Sequence, residues 1–511
     1  MDRMINYKKR VIILILTLSF FRLILAGTAE LGNDESYYWV YSQYLQWNYF
    51  DHPPLIAIFV RIFTLNLYLQ DHLVFLRLGS IVACGFSTWF MFKTVSTIAN
   101  EKAGFIAACL YSASFYSGLT AGLLIMPDAP QMFFWTFSLW MISKIFVDEN
   151  NWTNWVLLGI ASGLCIMSKV HGVYIWGGVI AFILLYNREL IKNPRLYFSA
   201  FITLVLVSPI LIWNIKNDFI TYRFHSERII IHGYLFNINN FLKEFFEEII
   251  VNNPINIILI LLVLFHKSIA DLVKYPALRT FRFIGFALIS VVLFLSLFRD
   301  TRPIWSGPGY ITLIPLTAIG IENSKNKIIQ ILSKWSLYIY IFLSISLWIF
   351  IKNAPGTFGS KISSDLGKGD ITLDMYGWKE AGKEFINIYD QELKKGIAFP
   401  GSPLVCNTWW GAHEEYYFCR INHLEMIGLG SMMELHHYMW TNNKRENSVN
   451  MNTAYCVIHS DENYSAQSAY SPYYSQIDSI ATIHILRKQL PAHNFVVYRL
   501  KGWKNKFPEA N

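Results

Sequence analysis

Charged residues are scarce in this sequence. Aspartate, glutamate, lysine and arginine make up 15% of its 511 residues, whereas a soluble chain carries about a quarter. Hydrophobic residues reach 54%, and they form blocks too long for ordinary core helices, such as Val11–Ala26, Leu196–Trp213 and Leu337–Ile351. Because roughly 20 mostly apolar residues span a bilayer, the composition argues against a soluble globular protein and predicts a polytopic α-helical membrane protein.

Other features are also missing or rare. No small-residue cleavage site follows the first apolar block, so we expect that block to be a membrane span and not a cleaved signal peptide. No internal repeat or low-complexity tract stands out. Cysteines number six. The three in the polar tail, Cys406, Cys419 and Cys456, could form a disulfide, but the sequence does not define its pairing.

The apolar blocks predict about eleven transmembrane helices. When crossings are counted, every strongly basic short loop falls on the side of the N-terminus, which predicts a cytoplasmic N-terminus. The net charge of +8 is therefore assigned to cytoplasmic loops and not to nucleic-acid binding. The expected spans cover residues 11–28, 73–96, 104–124, 128–147, 153–168, 171–187, 196–214, 251–267, 282–299, 303–322 and 334–352.

The loops on the opposite side mix acids, bases, prolines and aromatics. The first of them, residues 29–72, is expected to hold short interfacial helices. An odd number of spans places the tail on the same outer side. In the tail, "PLVCNTWW", "AYCVIHS" and "NFVVYRLK" are typical of short buried strands, and "GWKEAGKEFINIYDQEL" is typical of an amphipathic helix. We therefore predict a transmembrane domain, 1–352, and an extracytoplasmic α/β domain, 353–511.

Two adjacent acids, Asp34 and Glu35, open the aromatic-rich segment "NDESYYWVYSQY". In one interpretation they only begin a helix from Glu35 onwards, since Asn33 and Asp34 are good caps and acids suit a first turn. Tyr37 and Tyr38 would then lie at the headgroup level, where tyrosine and tryptophan are enriched. A capping acid can also be catalytic, so the two interpretations are compatible.

The remaining outer loops contain the same mixture of acids, bases, prolines and aromatics. They contain the motifs "YFDHPP", "MPDAP", "SKVHG", "TYRFHSER" and "RDTRPIWSGPGY". Each motif also has a purely structural interpretation as a turn, a helix cap or a contact with lipid headgroups. The candidate functional residues within them are Asp51, His52, Asp128, Lys169, His171, Arg228, Arg302 and Trp305.

Carboxylates and fixed cations on one face suit transfer of a group from a lipid phosphate to an acceptor. A carboxylate can act as general base toward a hydroxyl. Lysine and arginine can hold a phosphate and stabilise the charge that develops as it leaves. Ionisable side chains at membrane depth are costly, which favours a functional interpretation of Lys169.

Seven motifs occur in order between Asp34 and Trp378, and they resemble those of a known family. They are "NDESYYW", "YFDHPPL", "PDAPQMFFW", "GLCIMSKVHGV", "SPILIWNIKND", "RPIWSGPGY" and "DMYGW". In this set the chain resembles the bacterial GT-C membrane glycosyltransferases. That group contains the glycosyltransferase family 39 protein mannosyltransferases and the aminoarabinose transferase that modifies lipid A. The pattern is specific for the superfamily but not for the substrate.

The resemblance implies a GT-C fold and an inverting transfer of a sugar from a polyprenyl-phosphate donor to a cell-envelope acceptor. The reaction would take place on the outer face of the bacterial cytoplasmic membrane. The resemblance assigns the catalytic acid to Asp34, with Glu35 beside it, and a second acid to Asp128. Donor-phosphate contacts are expected from Lys169, Arg302, His52 and Arg228. Contacts with the substrates are expected from Tyr37, Tyr38, Asp51, His171 and Trp305.

One of these positions departs from the family. The aminoarabinose enzyme has a lysine where this sequence has His52, in an "FEKP" version of "FDHPP". Because the charge of histidine depends on pH, Lys169 and Arg302 are the stronger candidates for the phosphate.

Other functions fit the sequence less well. A lipid or glycan transporter would place its charges near the membrane midplane and often shows repeats. A non-catalytic partner in glycan assembly would not depend on Asp34. No cofactor is expected. A divalent metal is disfavoured because its possible ligands lack tight spacing, and these are Asp51, His52, His413, Glu414 and Glu415. The sequence does not distinguish between lipid A, O-antigen, another glycan or a protein as acceptor.

Overall fold

The computed structural model describes residues 6–230, 236–265, 275–505 and 507. Arg3, Lys267 and Lys274, three of the basic residues behind the expected orientation, lie outside this part of the chain. The chain forms two compact units. The first comprises Met1–Gly27 and Gln46–Ser344, and the second comprises Thr28–Leu45 and Ile345–Asn511.

Helices make up most of the first unit, because long runs of Leu, Ile, Val and Phe can satisfy their backbone polar groups in lipid only within a helix. Asparagine side chains cap several N-termini, including Asn6, Asn100 and Asn193. In chain order, the helices of the described residues are α1 Tyr7–Ala26, α2 Asn33–Gln43, α3 Leu55–Phe63, α4 Leu73–Ile98, α5 Glu101–Ala113, α6 Asp128–Val147, α7 Trp152–Ser168, α8 Val173–Tyr186, α9 Pro194–Lys216, α10 Ile220–Ile229, α11 Ile238–Val251, α12 Pro254–Leu264, α13 Pro276–Ser296, α14 Gly307–Asn323, α15 Lys327–Asn353, α16 Trp378–Lys394, α17 Gly411–Glu414, α18 Met432–Leu435, α19 Tyr438–Arg445 and α20 Ala466–Tyr470.

Each of the eleven expected spans overlaps a helix of the described residues, but the number of membrane crossings is not confirmed. By length and hydropathy, four of the described helices can cross a membrane: α4, α9, α13 and α15. The count rises to five if α11 and α12, which meet at a bend of 98°, form one broken span. α7 and α8 are apolar but shorter.

Polar side chains inside the first unit bind backbone groups where helices are interrupted. The expected span 104–124 is not one helix. α5 ends at Ala113, and a π-helical turn follows at Tyr116–Thr120. Arg22, buried on α1, donates from Nε to the carbonyl oxygen of Gly118 in that turn over 2.8 Å. Irregular backbone at membrane depth needs such internal partners, so Arg22 stabilises the break.

The second unit contains a mixed five-stranded sheet. Its strands are β1 Leu404–Cys406, β2 Met426–Gly428, β3 Thr453–His459, β4 Tyr474–Arg487 and β5 Leu490–Trp503, in the spatial order β2-β1-β3-β5-β4. β1 pairs in parallel with β2 and β3, while β5 pairs antiparallel with β3 and β4. β3 is buried along its whole length, which explains its continuous apolar run.

Most of the tail's predicted elements are confirmed. The three predicted strands correspond to β1, β3 and β5, and the predicted amphipathic helix is α16. β2 and β4 were not predicted. All six cysteines are free thiols, so the structure contains no disulfide among Cys406, Cys419 and Cys456.

The boundary between the units differs from the predicted one. It falls within α15, after Ser344, and the second unit also takes in Thr28–Leu45 from the predicted first outer loop. The reason is that α2 packs on the tail through its aromatic side chains, among them Tyr37 on Trp409 and Trp39 on Tyr416.

Candidate active site

The two acids at the start of α2 lie in different environments. The helix begins at Asn33, two residues earlier than the sequence indicated, with Gly32 as N-cap. Glu35 is 1% exposed and its Oε2 accepts the Gly32 N–H over 3.0 Å, so it satisfies a backbone donor of the first turn. Asp34 is exposed. Of the pair, only Asp34 is exposed at the surface.

Side chains of the tail hold the backbone just before Asp34. Asp374 accepts the Asn33 N–H over 3.2 Å, and His413 donates from Nε2 to the carbonyl oxygen of Leu31 over 2.8 Å. Burial, with the nearby Glu35, raises the pKa of Asp374 to about 6. Burial lowers the pKa of His413 to about 4, which keeps it neutral. The tail thus fixes the direction in which α2 begins.

A further carboxylate lies just before α2. Glu30 accepts the backbone N–H of Trp378, at the start of α16, over 2.8 Å. Burial raises the pKa of Glu30 to about 7. The chain before α2 is thus also bound to the tail, and Glu30 was not among the predicted residues.

The aromatic residues of α2 are buried, which corrects their expected placement at the headgroup level. Tyr37 and Tyr38 are 2% and 5% exposed. The Tyr37 ring lies 5.1 Å from that of Trp409, and its hydroxyl hydrogen-bonds that of Tyr41 over 3.1 Å. These rings therefore pack against the tail, and their main role in the structure is to hold α2.

In the first unit, Asp128 and Lys169 form a buried ion pair. Lys169 donates from Nζ to both carboxylate oxygens, over 2.9 and 3.0 Å, and the side chains are 5% and 1% exposed. Asp128 is the first residue of α6, and Lys169 is the extended residue that ends α7. The two motifs "MPDAP" and "SKVHG" thus meet through their charged residues.

Tyr116 hydrogen-bonds to Asp128 of this pair and was not predicted from the sequence. Its hydroxyl donates to Oδ1 of Asp128 over 2.7 Å, and Tyr116 itself is fully buried. Its ring packs on Gly307, where an added Cβ would lie only 2.6 Å away. Tyr116 belongs to the π-helical turn, a feature frequent at functional sites.

Histidines from three segments lie within electrostatic range of Lys169. His225 on α10 donates from Nε2 to the carbonyl oxygen of Asp51 over 2.7 Å, and its ring lies 6.2 Å from that of His52. Burial, together with Lys169, lowers the pKa of His52 to about 4. His52 is therefore neutral near pH 7 and can offer a hydrogen bond but no charge. His171 contributes a buried Nδ1 without a protein partner among the described residues.

The remaining candidate cations lie on α10, which carries Arg228, and on the loop after α13, which carries Arg302. The Arg228 guanidinium lies 5.4 Å from the centre of the Trp305 ring. Arg299 donates to the carbonyl oxygens of Glu227 and Ile230, which ties the 299–306 loop to the end of α10. Arg302, on the same loop, is exposed.

The first unit therefore brings together Asp51, His52, Asp128, Lys169 and His171, and it pairs Arg228 with Trp305. The remaining candidates, Asp34, Glu35, Tyr37 and Tyr38, belong to the second unit.

Similarity to known proteins identifies the class of the fold. A family model described as dolichyl-phosphate-mannose-protein mannosyltransferase matches residues 51–213, about a third of the chain. The fold is the GT-C fold of membrane glycosyltransferases, and the resemblance stated from the motifs is confirmed at this level.

Two solved structures share this fold along nearly the whole chain. The crystal structure of ArnT from Cupriavidus metallidurans in the apo state is 12% identical, with a TM-score of 0.66, over 97% of this chain and 98% of that one. The structure of ArnT bound to undecaprenyl phosphate is 13% identical, with a TM-score of 0.59, over 95% and 97% of the two chains. No curated protein sequence matches this chain.

Proposed function

We propose that this protein is a glycosyltransferase that moves a sugar from a polyprenyl-phosphate donor to an acceptor in the bacterial cell envelope. The observation that carries the proposal is the fold shared over 97% of the chain with ArnT, a protein also solved with undecaprenyl phosphate. The match of residues 51–213 to the mannosyltransferase family model supports the same class of reaction.

In the proposed reaction, Asp34 takes the proton from the acceptor hydroxyl or amine. The freed nucleophile forms a bond to the anomeric carbon of the sugar. The bond between that carbon and the phosphate oxygen breaks, and its electron pair leaves with the polyprenyl phosphate. Attack from the opposite side inverts the anomeric configuration. The exposure of Asp34, beside a Glu35 already used in capping, supports Asp34 as the base.

Lys169 is the proposed contact for the leaving phosphate. A lysine ammonium has three N–H donors, and Asp128 receives two of them. We assign Asp128 the task of holding Lys169 charged and oriented, with the third donor directed to phosphate. Arg302, Arg228 and a neutral His52 are the proposed further contacts. Asp51, His171 and Trp305 are kept as proposed contacts for the sugar.

The reaction is proposed to take place on the outer face of the cytoplasmic membrane, with a membrane lipid, a surface glycan or a secreted protein as acceptor. The test compares glycolipids and glycoproteins by mass spectrometry in cells that lack the gene, carry the wild type, or carry Asp34→Asn. We expect one envelope component to lose the mass of one sugar in the first and third strains. Identical glycan profiles in all three strains would contradict the proposal.

A further inference from the structure

The second unit exposes a group of apolar side chains close to the end of α15. Ile371 is 89% exposed, Phe358 56%, Leu490 51% and Leu486 48%. Single exposed apolar residues are ordinary on a protein surface, whereas a cluster marks an interaction site. Leu486 and Leu490 flank the tip of the β4–β5 hairpin, whose turn residues Lys488 and Gln489 have φ of 52° and 64°.

A buried arginine binds the segments that carry these side chains. Arg487, which is 0% exposed, donates to Oδ2 of Asp370 over 3.1 Å, to Thr372 over 2.8 Å and to the carbonyl oxygen of Gly356 over 2.7 Å. It also reaches the carbonyl oxygen of Ile351, near the end of α15, at 3.4 Å. Arg487 therefore joins the hairpin tip, the 356–372 loop and the end of the helix through hydrogen bonds.

Further contacts place the cluster directly at the helix end. The Phe358 ring stacks on that of Phe350 of α15, with centroids 4.9 Å apart. A Cβ added at Gly356 would lie 3.1 Å from that of Leu490. α15 is long and apolar enough to cross a membrane, and Phe350 is 44% exposed on it. The exposed surface of the helix thus continues into the cluster.

The charges beside the cluster suit a membrane surface. Lys352 lies over the Trp348 ring at 5.1 Å, and Lys488 is exposed at the hairpin tip. Aromatic rings and lysines at the end of a span are the usual anchors at the boundary between acyl chains and headgroups, and lysines near it attract anionic lipids.

We propose that Phe358, Ile371, Leu486 and Leu490 form a membrane-docking surface that enters the headgroup region of the leaflet in which α15 ends. The occupant is lipid, because this surface continues the exposed apolar surface of a helix that is itself long enough to span. Arg487 and Asp370 connect this surface to the helix end. The sheet would then be attached to the membrane at two places, through the helix and through the hairpin tip.

The test uses the full-length protein in lipid nanodiscs with an environment-sensitive fluorophore on one introduced cysteine. The native cysteines are buried or half-buried, and labelling of the unsubstituted protein measures the background that they contribute. Leu490→Cys and Ile371→Cys report on the surface. Gln476→Cys is the matched control, because it is exposed on β4 but ten residues, or roughly 33 Å of strand, from Leu486.

Lipids that carry a quencher just below the headgroup should quench the labels at 490 and 371 severalfold more than the label at 476, and should blue-shift their emission. Equal quenching at all three positions would overturn the proposal. A blue shift at 490 and 371 without quenching would also overturn it, because the surface would then be covered by protein and not by lipid. The two reporter positions lie on different segments, so misfolding of one variant leaves the other as a test.

Discussion

At the scale of single residues, two neighbouring acids lie in different surroundings. Asp34 and Glu35 are adjacent in sequence, yet the Glu35 carboxylate binds the backbone of its own helix and is buried, while Asp34 faces outward. Consecutive residues of a helix point about 100° apart, which permits this division. The sequence offered both as candidates, and only the geometry distinguishes them.

The first prediction follows from this difference. Asp34→Asn removes the charge of the proposed base but retains shape, so sugar transfer from a polyprenyl-phosphate donor should fall about 10²–10⁴-fold, with little change in thermal stability. Glu35→Gln keeps an oxygen that can accept the Gly32 N–H and should lower the rate much less. Both are measured with purified protein. Near-normal activity of Asp34→Asn would remove it from the role of base.

The second prediction concerns the buried ion pair. Asp128→Asn removes the negative partner of Lys169, and breaking a buried pair costs about 3–5 kcal/mol. Tyr116→Phe removes one hydrogen bond to a charged carboxylate and should cost about 1.5–3 kcal/mol. Thermal unfolding in detergent should therefore show a large decrease in midpoint for Asp128→Asn and a smaller one for Tyr116→Phe.

The control for the ion pair is Lys192→Gln, which breaks the exposed pair with Glu189, whose side chains are 78% and 80% exposed. Exposed pairs contribute at most about 1 kcal/mol, so the midpoint should barely move. If Asp128→Asn behaves like this control, the Asp128–Lys169 pair does not stabilise the first unit.

At the scale of elements, the sequence predicted helices and strands better than their interruptions. Apolar blocks such as 128–147 identified α6 to the residue, since burial and lipid exposure both require a continuous apolar run. The break within 104–124 was missed because Tyr116 and Gly118 do not interrupt the apolar pattern. The small and polar residues of "SASFYSGLTAG" were its signal. Tyr116, the partner of Asp128, was missed for the same reason.

Contacts between segments distant in sequence were also beyond prediction. Nothing in the local pattern of "NDESYYW" indicates that its rings pack on Trp409 and Tyr416. The pairing of Asp128 with Lys169 was likewise not predicted, because each residue had a sufficient local explanation as a cap or a phosphate ligand.

The third prediction concerns the start of α2, where two carboxyl groups titrate near neutral pH. The pKa values of Glu30 and Asp374 are about 7 and 6, above the usual values of about 4.3 and 3.9. Because folding raises these pKa values, their contribution to stability is complete below about pH 4 and is lost as the pH rises through 6 to 7. Thermal midpoints measured from pH 5 to pH 8 should decrease with rising pH.

Variants identify the groups responsible for this pH dependence. Glu30→Gln and Asp374→Asn cannot titrate, so the double variant should show a smaller difference in midpoint between pH 5 and pH 8 than the wild type. Glu384→Gln is the control, because Glu384 is exposed on α16 and its removal should leave the difference unchanged. An unaltered pH dependence in the double variant would show that other groups cause it.

At the scale of the whole molecule, the division into units places the segment that carries Asp34 in the same unit as the tail. The sequence predicted an accessory domain that supplies no catalytic base, and the proposed base Asp34 does precede the tail. Yet Asp374, His413 and Trp409 of the tail bind the segment that carries Asp34. We therefore regard the tail as a positioning element for Asp34, and loss of its contacts should lower activity without removing any catalytic group.

The last prediction is the orientation of the chain in the membrane. The basic loops predict a cytoplasmic N-terminus, and the predicted odd number of spans then places the second unit on the outer side. That arrangement is also what the proposed function requires, because a polyprenyl-phosphate donor used on the outer leaflet must meet Asp34 there.

An alkaline phosphatase fused after Trp503 should be active, since it folds only outside the cytoplasm, whereas a green fluorescent protein at the same position should be dark. The same reporters fused within the loop that contains Lys325 and Lys327 should give the opposite result. If the fusions after Trp503 report a cytoplasmic tail, Asp34 and the tail that holds it face the wrong side, and the proposed reaction on the outer face must be abandoned.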